Sequence, residues 1–146
     1  MEKINFYNAD RKFVFNGKEN LKLFVNKIFR KEGQKLSCIN YIFCSDEYLL
    51  KINREFLQHD YYTDVITFDL SEPNASSVNA EVYISLDRIK ENATTNNTTQ
   101  KKEQLRVIFH AALHLCGYND KKKSEILRMR EKEEYYLRLY KKQQSQ

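Results

Sequence analysis

No run of apolar residues in this chain approaches the roughly 20 that a membrane-spanning helix needs. The N-terminus, M-E-K-I-N-F-Y-N, lacks the apolar core of a signal peptide. A cytoplasmic protein is therefore expected, and the sequons at Asn74, Asn92, Asn96 and Asn97 would go unused. Cysteine is scarce, and its spacing excludes a disulfide framework. Cys38 and Cys44 lie six apart in one expected strand, on the same face and about 20 Å from each other. That distance is too long for a disulfide. Cys116 falls on the apolar side of an expected helix, and reduced thiols are the default in the cytosol. Tryptophan is absent, proline occurs once (Pro73), and the aromatic content rests on ten Tyr and nine Phe.

What is present suits one folded domain. The chain has 146 residues, enough to bury a core, and is 41% hydrophobic and 31% charged. A single domain over residues 1–146 is expected, with 143–146 frayed. The net charge is +5, and its placement is uneven. Between Lys121 and Lys142 there are nine Lys or Arg and four Glu, so this segment alone carries +5. Such an end suits a polyanionic partner, although a solvated terminal helix would look the same.

The most informative stretch is Val107–Asp120, V-I-F-H-A-A-L-H-L-C-G-Y-N-D. His110 and His114 are four apart, so on a helix their imidazoles share one face. Leu105, Ile108, Phe109, Ala112, Leu113 and Cys116 form a separate apolar stripe. Gly117 offers a left-handed stop, after which the chain can bring Asn119 and Asp120 back to the histidine face. His110, His114 and Asp120 are thus a candidate three-ligand set for one divalent metal ion, zinc being the expected one. The zinc-protease signature is excluded, because it needs Glu after the first histidine and Ala111 stands there.

Taken in order, residues 3–8 and 12–15 read as short strands. Asn16 and Glu19 make a capping box for a helix with Leu21, Phe24, Val25, Ile28 and Phe29 on its core face, ending at Gly33. Leu36–Cys44 reads as an interior strand. Ser45 caps a helix whose Leu49, Ile52, Asn53 and Phe56 share a face, Asn53 being a buried amide or a site residue. Asp64–Leu70 and Ala80–Ser85 read as strands joined by a long loop, either a substrate-side flap or an insertion. Leu86–Ala93 is a short helix and residues 94–100 a polar linker. Lys101–Cys116 is the histidine helix, and Ser124 caps a last helix. On that last helix Glu133 is expected to pair with Arg130 at the surface, the alternative being a partner to a ligand histidine. Four or five strands and about five helices without strict alternation argue an α+β fold.

Three blocks carry a family resemblance. H-A-A-L-H-L-C-G-Y-N-D (His110–Asp120) resembles the signature H-G-x-L-H-L-x-G-Y-D-H of the YbeY family of bacterial rRNA maturation factors and single-strand endoribonucleases. Ile52-Asn53, Asp60 and T-D-V-I-T-F (Thr63–Phe68) resemble L-N-x-x-Y-R-x-K-D-x-P-T-D-V-L-S-F, and A-E-V-Y-I-S (Ala80–Ser85) resembles G-D-I-x-I-S. The blocks occur in family order over roughly residues 35–135. The chain departs from the pattern at Asp120, which aligns with the third histidine, and at Asn119. It departs again at Leu57, His59 and Tyr62, which align with Arg, Lys and Pro. The resemblance implies a small mixed sheet flanked by helices and a metal site on the histidine helix. It also implies a metal-dependent endoribonuclease acting on single-stranded RNA during 3′-end maturation of 16S, the small-subunit rRNA, with the small ribosomal subunit as partner. His110 and His114 would then be catalytic, and Arg54, one helical turn before Leu57, could replace the family's arginine. Other readings are an RNA-binding ribosome-assembly factor with a structural or weakly catalytic metal, and a hydrolase of another substrate. A carboxylate at position 120 would make the ion a weaker Lewis acid and widen the choice toward harder metals. His59 is the next candidate for third ligand.

Overall fold

The computed structural model describes residues 3–145. The element order is β1 (Ile4–Asn8), α1 (Lys18–Lys31), β2 (Leu36–Cys44), α2 (Asp46–Leu57), β3 (Val65–Asp69), β4 (Val78–Ser85), α3 (Leu86–Thr95), α4 (Gln100–Leu115) and α5 (Lys123–Gln144). The four strands form one mixed sheet in the order β1-β2-β4-β3. β2 pairs parallel with β1 and with β4, and β3 closes the far edge antiparallel to β4. This is the α+β fold expected from the sequence.

β2 is interior for a reason visible in its residues. Ile39, Tyr41 and Phe43 are fully buried on the face that carries most of the core, beneath α1, α3 and α4. The other parity meets α2, where Cys44, Leu49 and Ile66 make a second small cluster with Ile52, Phe68 and Tyr83. Period-2 alternation with apolar residues on both parities is what a strand covered on both sides requires. Asn53 is buried on α2 and donates from Nδ2 to the Tyr61 carbonyl at 2.9 Å, so the amide is satisfied. Phe56, on the same helix, is largely exposed and only touches Phe68 edge-on.

α4 runs through the middle of the helical layer, against α1, α3, α5, β3 and β4. Val107 and Ala111 are buried as well as the expected stripe from Leu105 to Leu113, so the helix is enclosed on most of its circumference, while Cys116 at its C-cap is half-buried. The Tyr41 hydroxyl donates to the Ile108 carbonyl at 3.0 Å, tying α4 to the central strand. Beyond its exposed first turn, the part of α4 that solvent still reaches includes Gln104, Arg106, His110 and His114.

Three local expectations need correction. Residues 12–15 are not a strand. The Phe13 N–H donates to the Asn8 side chain, and its ring stacks on Phe43 with centroids 4.0 Å apart. The alternation marks burial over the sheet end, and no ladder partner is there. Asn16 does not cap α1; Gly17 does, at φ 90°, with no side-chain cap bond. α5 starts after Lys122, whose N–H donates to Glu125, and Ser124 lies inside the first turn. Elsewhere the elements match to within about two residues, and the helix of the last segment continues to Gln144.

Phe13 supplies a test of this packing. It is fully buried between Phe6, Phe15 and Phe43. Phe13→Ala is expected to cost about 3–5 kcal/mol of stability, read from the urea midpoint. A loss no larger than that of an exposed site would show that the segment is not packed as described.

Candidate metal centre between two clefts

α4 opens with Thr99, whose Oγ1 accepts the Lys102 N–H at 3.0 Å. It ends in a turn that the sequence dictates. The Gly117 N–H bonds to the His114 carbonyl at 3.0 Å and the Tyr118 N–H to the Leu113 carbonyl at 3.1 Å. This is a Schellman closure, and it places Gly117 at φ 103°, a conformation that a side chain resists. The turn then carries Asp120 back beside the two histidines.

The three side chains converge. The imidazoles of His110 and His114 lie edge to face with centroids 4.5 Å apart. Asp120 Oδ2 is 3.4 Å from His110 Nε2 and 3.2 Å from His114 Nε2. One donor atom from each of the three lies within 4.8 Å of the others, close enough to share one cation. The other ring nitrogens are already engaged. His114 Nδ1 is 2.8 Å from the Tyr118 carbonyl, and a carbonyl can only accept, so Nδ1 carries the proton. His110 Nδ1 is 2.6 Å from Glu133 Oε2, again an acceptor. Both Nε2 lone pairs are thereby directed toward Asp120, which is the tautomer a metal ligand requires. The group fits a divalent cation held by two imidazoles and a carboxylate, with coordination positions left over.

Glu133 corrects the reading of the last helix. It is buried and does not pair with Arg130. One oxygen holds His110; the other takes Arg106 Nη1 at 3.0 Å, while Arg106 Nη2 reaches Glu134 at 2.5 Å. Burial alone would lower the His110 pKa. The hydrogen bond and charge of Glu133, with Asp120 and Asp64 behind it, raise it instead. Arg106 and Glu103 are functional-site residues that the motif alone does not mark. Their spacing offered a signal, since Arg106, His110 and His114 follow at i, i+4 and i+8 on one face.

Two clefts meet at this group. The first, about 810 Å³, runs along α4, α5 and the end of α3 and is lined by Asn96, Lys102, Glu103, Arg106 and Arg130 among others. The second, about 500 Å³, lies under the α2–β3 connection and is lined by Asn53, Leu57, His59, Tyr61, Thr63 and Asp69 among others. Asp64, His110 and Asp120 line both. Burial raises the Asp64 pKa against the pull of His110. No residue between 70 and 77 lines either cleft.

Arg54 and His59 are placed differently. Arg54 is an exposed partner of Asp60, at 2.5 Å, and lines neither cleft. The structure therefore does not bring it to the histidines. His59 lines the second cleft and stacks on Tyr61, outside the three-residue group.

The turn bearing Asp120 is also pinned from behind. The Tyr118 hydroxyl donates to Glu32 Oε1 at 2.7 Å, and the Tyr136 hydroxyl and Lys132 meet Oε2. Burial would raise the Glu32 pKa, but these three partners outweigh it and lower the pKa.

The chain is similar to known proteins over most of its length. The sequence profile of the family described as Endoribonuclease YbeY matches residues 4–141. A protein named Endoribonuclease YbeY from Cytophaga hutchinsonii is 45% identical over 140 residues, covering 96% of this chain and 97% of that one. Another of that name from Christiangramia forsetii is 42% identical over 142 residues, with 96% and 97% covered. A solution structure from Thermotoga maritima superposes with a TM-score of 0.64 at 31% identity, covering 94% of this chain and 88% of that one.

Two outcomes follow from the geometry. Glu133→Gln is expected to weaken zinc binding about 10–100-fold in chelator competition, while Arg130→Ala leaves it unchanged. Equal affinities in all three proteins would remove Glu133 from the site. Glu32 has a lowered folded-state pKa, so its contribution to stability is full above the ordinary glutamate range and is lost as pH falls through the lowered value. Urea midpoints of Glu32→Gln should lack that part of the acid-side decline, and parallel curves would contradict the network.

Proposed function

The chain belongs to the endoribonuclease YbeY family, and on that premise we propose that it is a metal-dependent phosphodiester hydrolase cutting single-stranded rRNA. We place its work in small-subunit maturation within ribosome biogenesis, in the cytoplasm. The observation that carries the reading is the His110–His114–Asp120 group where two open clefts meet. A polymer lying along both clefts would present one phosphodiester to that group. When bound there, a divalent cation, zinc being our choice, polarises a phosphoryl oxygen and makes water a better nucleophile.

The chain's own residues set the rest. His110 and His114 would hold the cation through Nε2 and Asp120 through its carboxylate, while Glu133 and the Tyr118 carbonyl fix the two ring orientations. The side chains of the group remain between 22% and 40% exposed, which leaves room for substrate. A closed structural site would favour the second reading, an RNA-binding assembly factor. Among the described residues no helix is long and apolar enough to cross a membrane. The basic surface of α5, with Lys121 and Lys122 before it, suits phosphate, and Lys102 and Arg130 extend cationic charge to the rim of the first cleft.

The test is zinc affinity and single-stranded RNA cleavage across an Asp120 series. Asp120→Ala should weaken metal binding strongly and abolish cleavage, Asp120→His should restore both, and Asn119→Ala should change neither much. Asp120→Ala binding zinc as tightly as the parent would refute the ligand assignment. Neutralising Lys121, Lys122 and Lys123 together should flatten the dependence of log RNA affinity on log salt. An unchanged slope would make that run ordinary solvated surface.

A further inference from the structure

The two clefts differ in charge. The first has Lys102, Arg106 and Arg130 in its lining beside Asp64, Glu103, Asp120 and Glu133, and of these cations Arg106 is already paired with Glu133 and Glu134. The second has no lysine or arginine in its lining, while Asp64, Asp69 and Asp120 all face it. A phosphate entering that side would meet carboxylates without a cation. What the second cleft offers instead is ring surface. His59 and Tyr61 are stacked, with centroids 5.2 Å apart and planes 20° apart, and the Tyr61 hydroxyl lies 2.9 Å from His59 Nδ1. Tyr61 is 56% exposed, with Leu57 beside it in the lining at 39%.

This ring pair is held in place from below. Buried Asn53 donates through Nδ2 to the Tyr61 carbonyl at 2.9 Å, and its own carbonyl accepts the His59 N–H at 3.1 Å. One buried residue thus fixes the backbone at both rings, so the stack is set before any ligand arrives. An exposed aromatic platform in an acidic cleft favours a flat, uncharged, polarisable group.

Resting on the RNA-cleaving reading above, we propose that the His59–Tyr61 stack is a subsite for one unpaired nucleobase, next to the phosphodiester held at the His110–His114–Asp120 group. The strand would then be gripped asymmetrically, by Lys102 and Arg130 at the first cleft and by base stacking in the second. A base inside a duplex cannot reach the platform without unstacking, so the subsite selects single-stranded RNA.

The test is equilibrium binding of the zinc-loaded protein to a short phosphorothioate-linked single-stranded RNA, with an abasic position walked along it. In the parent, one position should weaken binding about tenfold when its base is removed. Tyr61→Ala should weaken binding to the intact RNA by about the same factor, keep its zinc, and show no further loss at that abasic position. Tyr61→Phe should bind like the parent, and the salt slope should be the same in all three, because no phosphate contact is lost. Unchanged affinity in Tyr61→Ala, or losses that add with the abasic one, would overturn the subsite while leaving RNA binding intact. If Tyr61→Ala fails to fold, the abasic walk on the parent decides, and a walk with no sensitive position overturns the subsite. A zinc-loaded parent that binds no RNA would overturn the functional reading and the subsite together.

Discussion

The two oxygens of Glu133 are committed to different partners, one to Arg106 at 3.0 Å and one to His110 Nδ1 at 2.6 Å, in a position only 5% exposed. An ionised carboxylate in such a place is costly unless it is paired, and removing one partner of a buried pair typically costs about 3–5 kcal/mol. The arrangement therefore couples the packing of α5 on α4 to the orientation of the His110 ring. Arg106 extends the coupling by reaching Glu134 and, at 3.8 Å, Glu103. A histidine so held presents its free nitrogen outward with little orientational freedom left to lose.

His114 is held by a different device with the same result. Its Nδ1–H meets the Tyr118 carbonyl across the turn that Gly117 makes possible, and Tyr118 is anchored to Glu32 at the end of α1. Lys132 and Arg128 lie over the Tyr118 ring, so α5 supports the turn from a second direction. Three helices thus fix one loop, and that loop carries Asp120. The carboxylate sits where it can share a cation with the imidazoles because the helix stop, the aromatic anchor and the acid follow one another within four residues, Gly117 to Asp120.

Much of this was legible in the sequence, and the failures have physical causes. The four-residue spacing of the histidines, the glycine stop and the following acid gave the candidate site, because helix periodicity and the left-handed cap are local properties. The interior strand and the Ser45 cap were legible on the same grounds. For Glu133 the sequence favours a surface pair with Arg130, because the packing of α5 against α4 depends on a contact 23 residues away in sequence. Residues 12–15 misled because alternation reports burial, and Phe13 finds its burial by stacking on Phe43 without a ladder partner. Arg54 pairs with the nearby Asp60 and lines neither cleft, a placement that sequence spacing alone does not reveal. The His59–Tyr61 stack carried no periodic signal, being set by Asn53 across a loop.

The central claim is that two imidazoles and one carboxylate hold the metal. The chain has only three histidines, so counting imidazoles around the ion tests it directly. X-ray absorption of the zinc-loaded protein is the measurement, since ring scattering distinguishes imidazole from carboxylate ligands. Two imidazoles at about 2.0–2.1 Å with oxygen filling the remaining shell is the predicted result. A third imidazole would bring His59 into the shell in place of Asp120, and a sulfur ligand would bring in a cysteine; either would contradict the site as drawn.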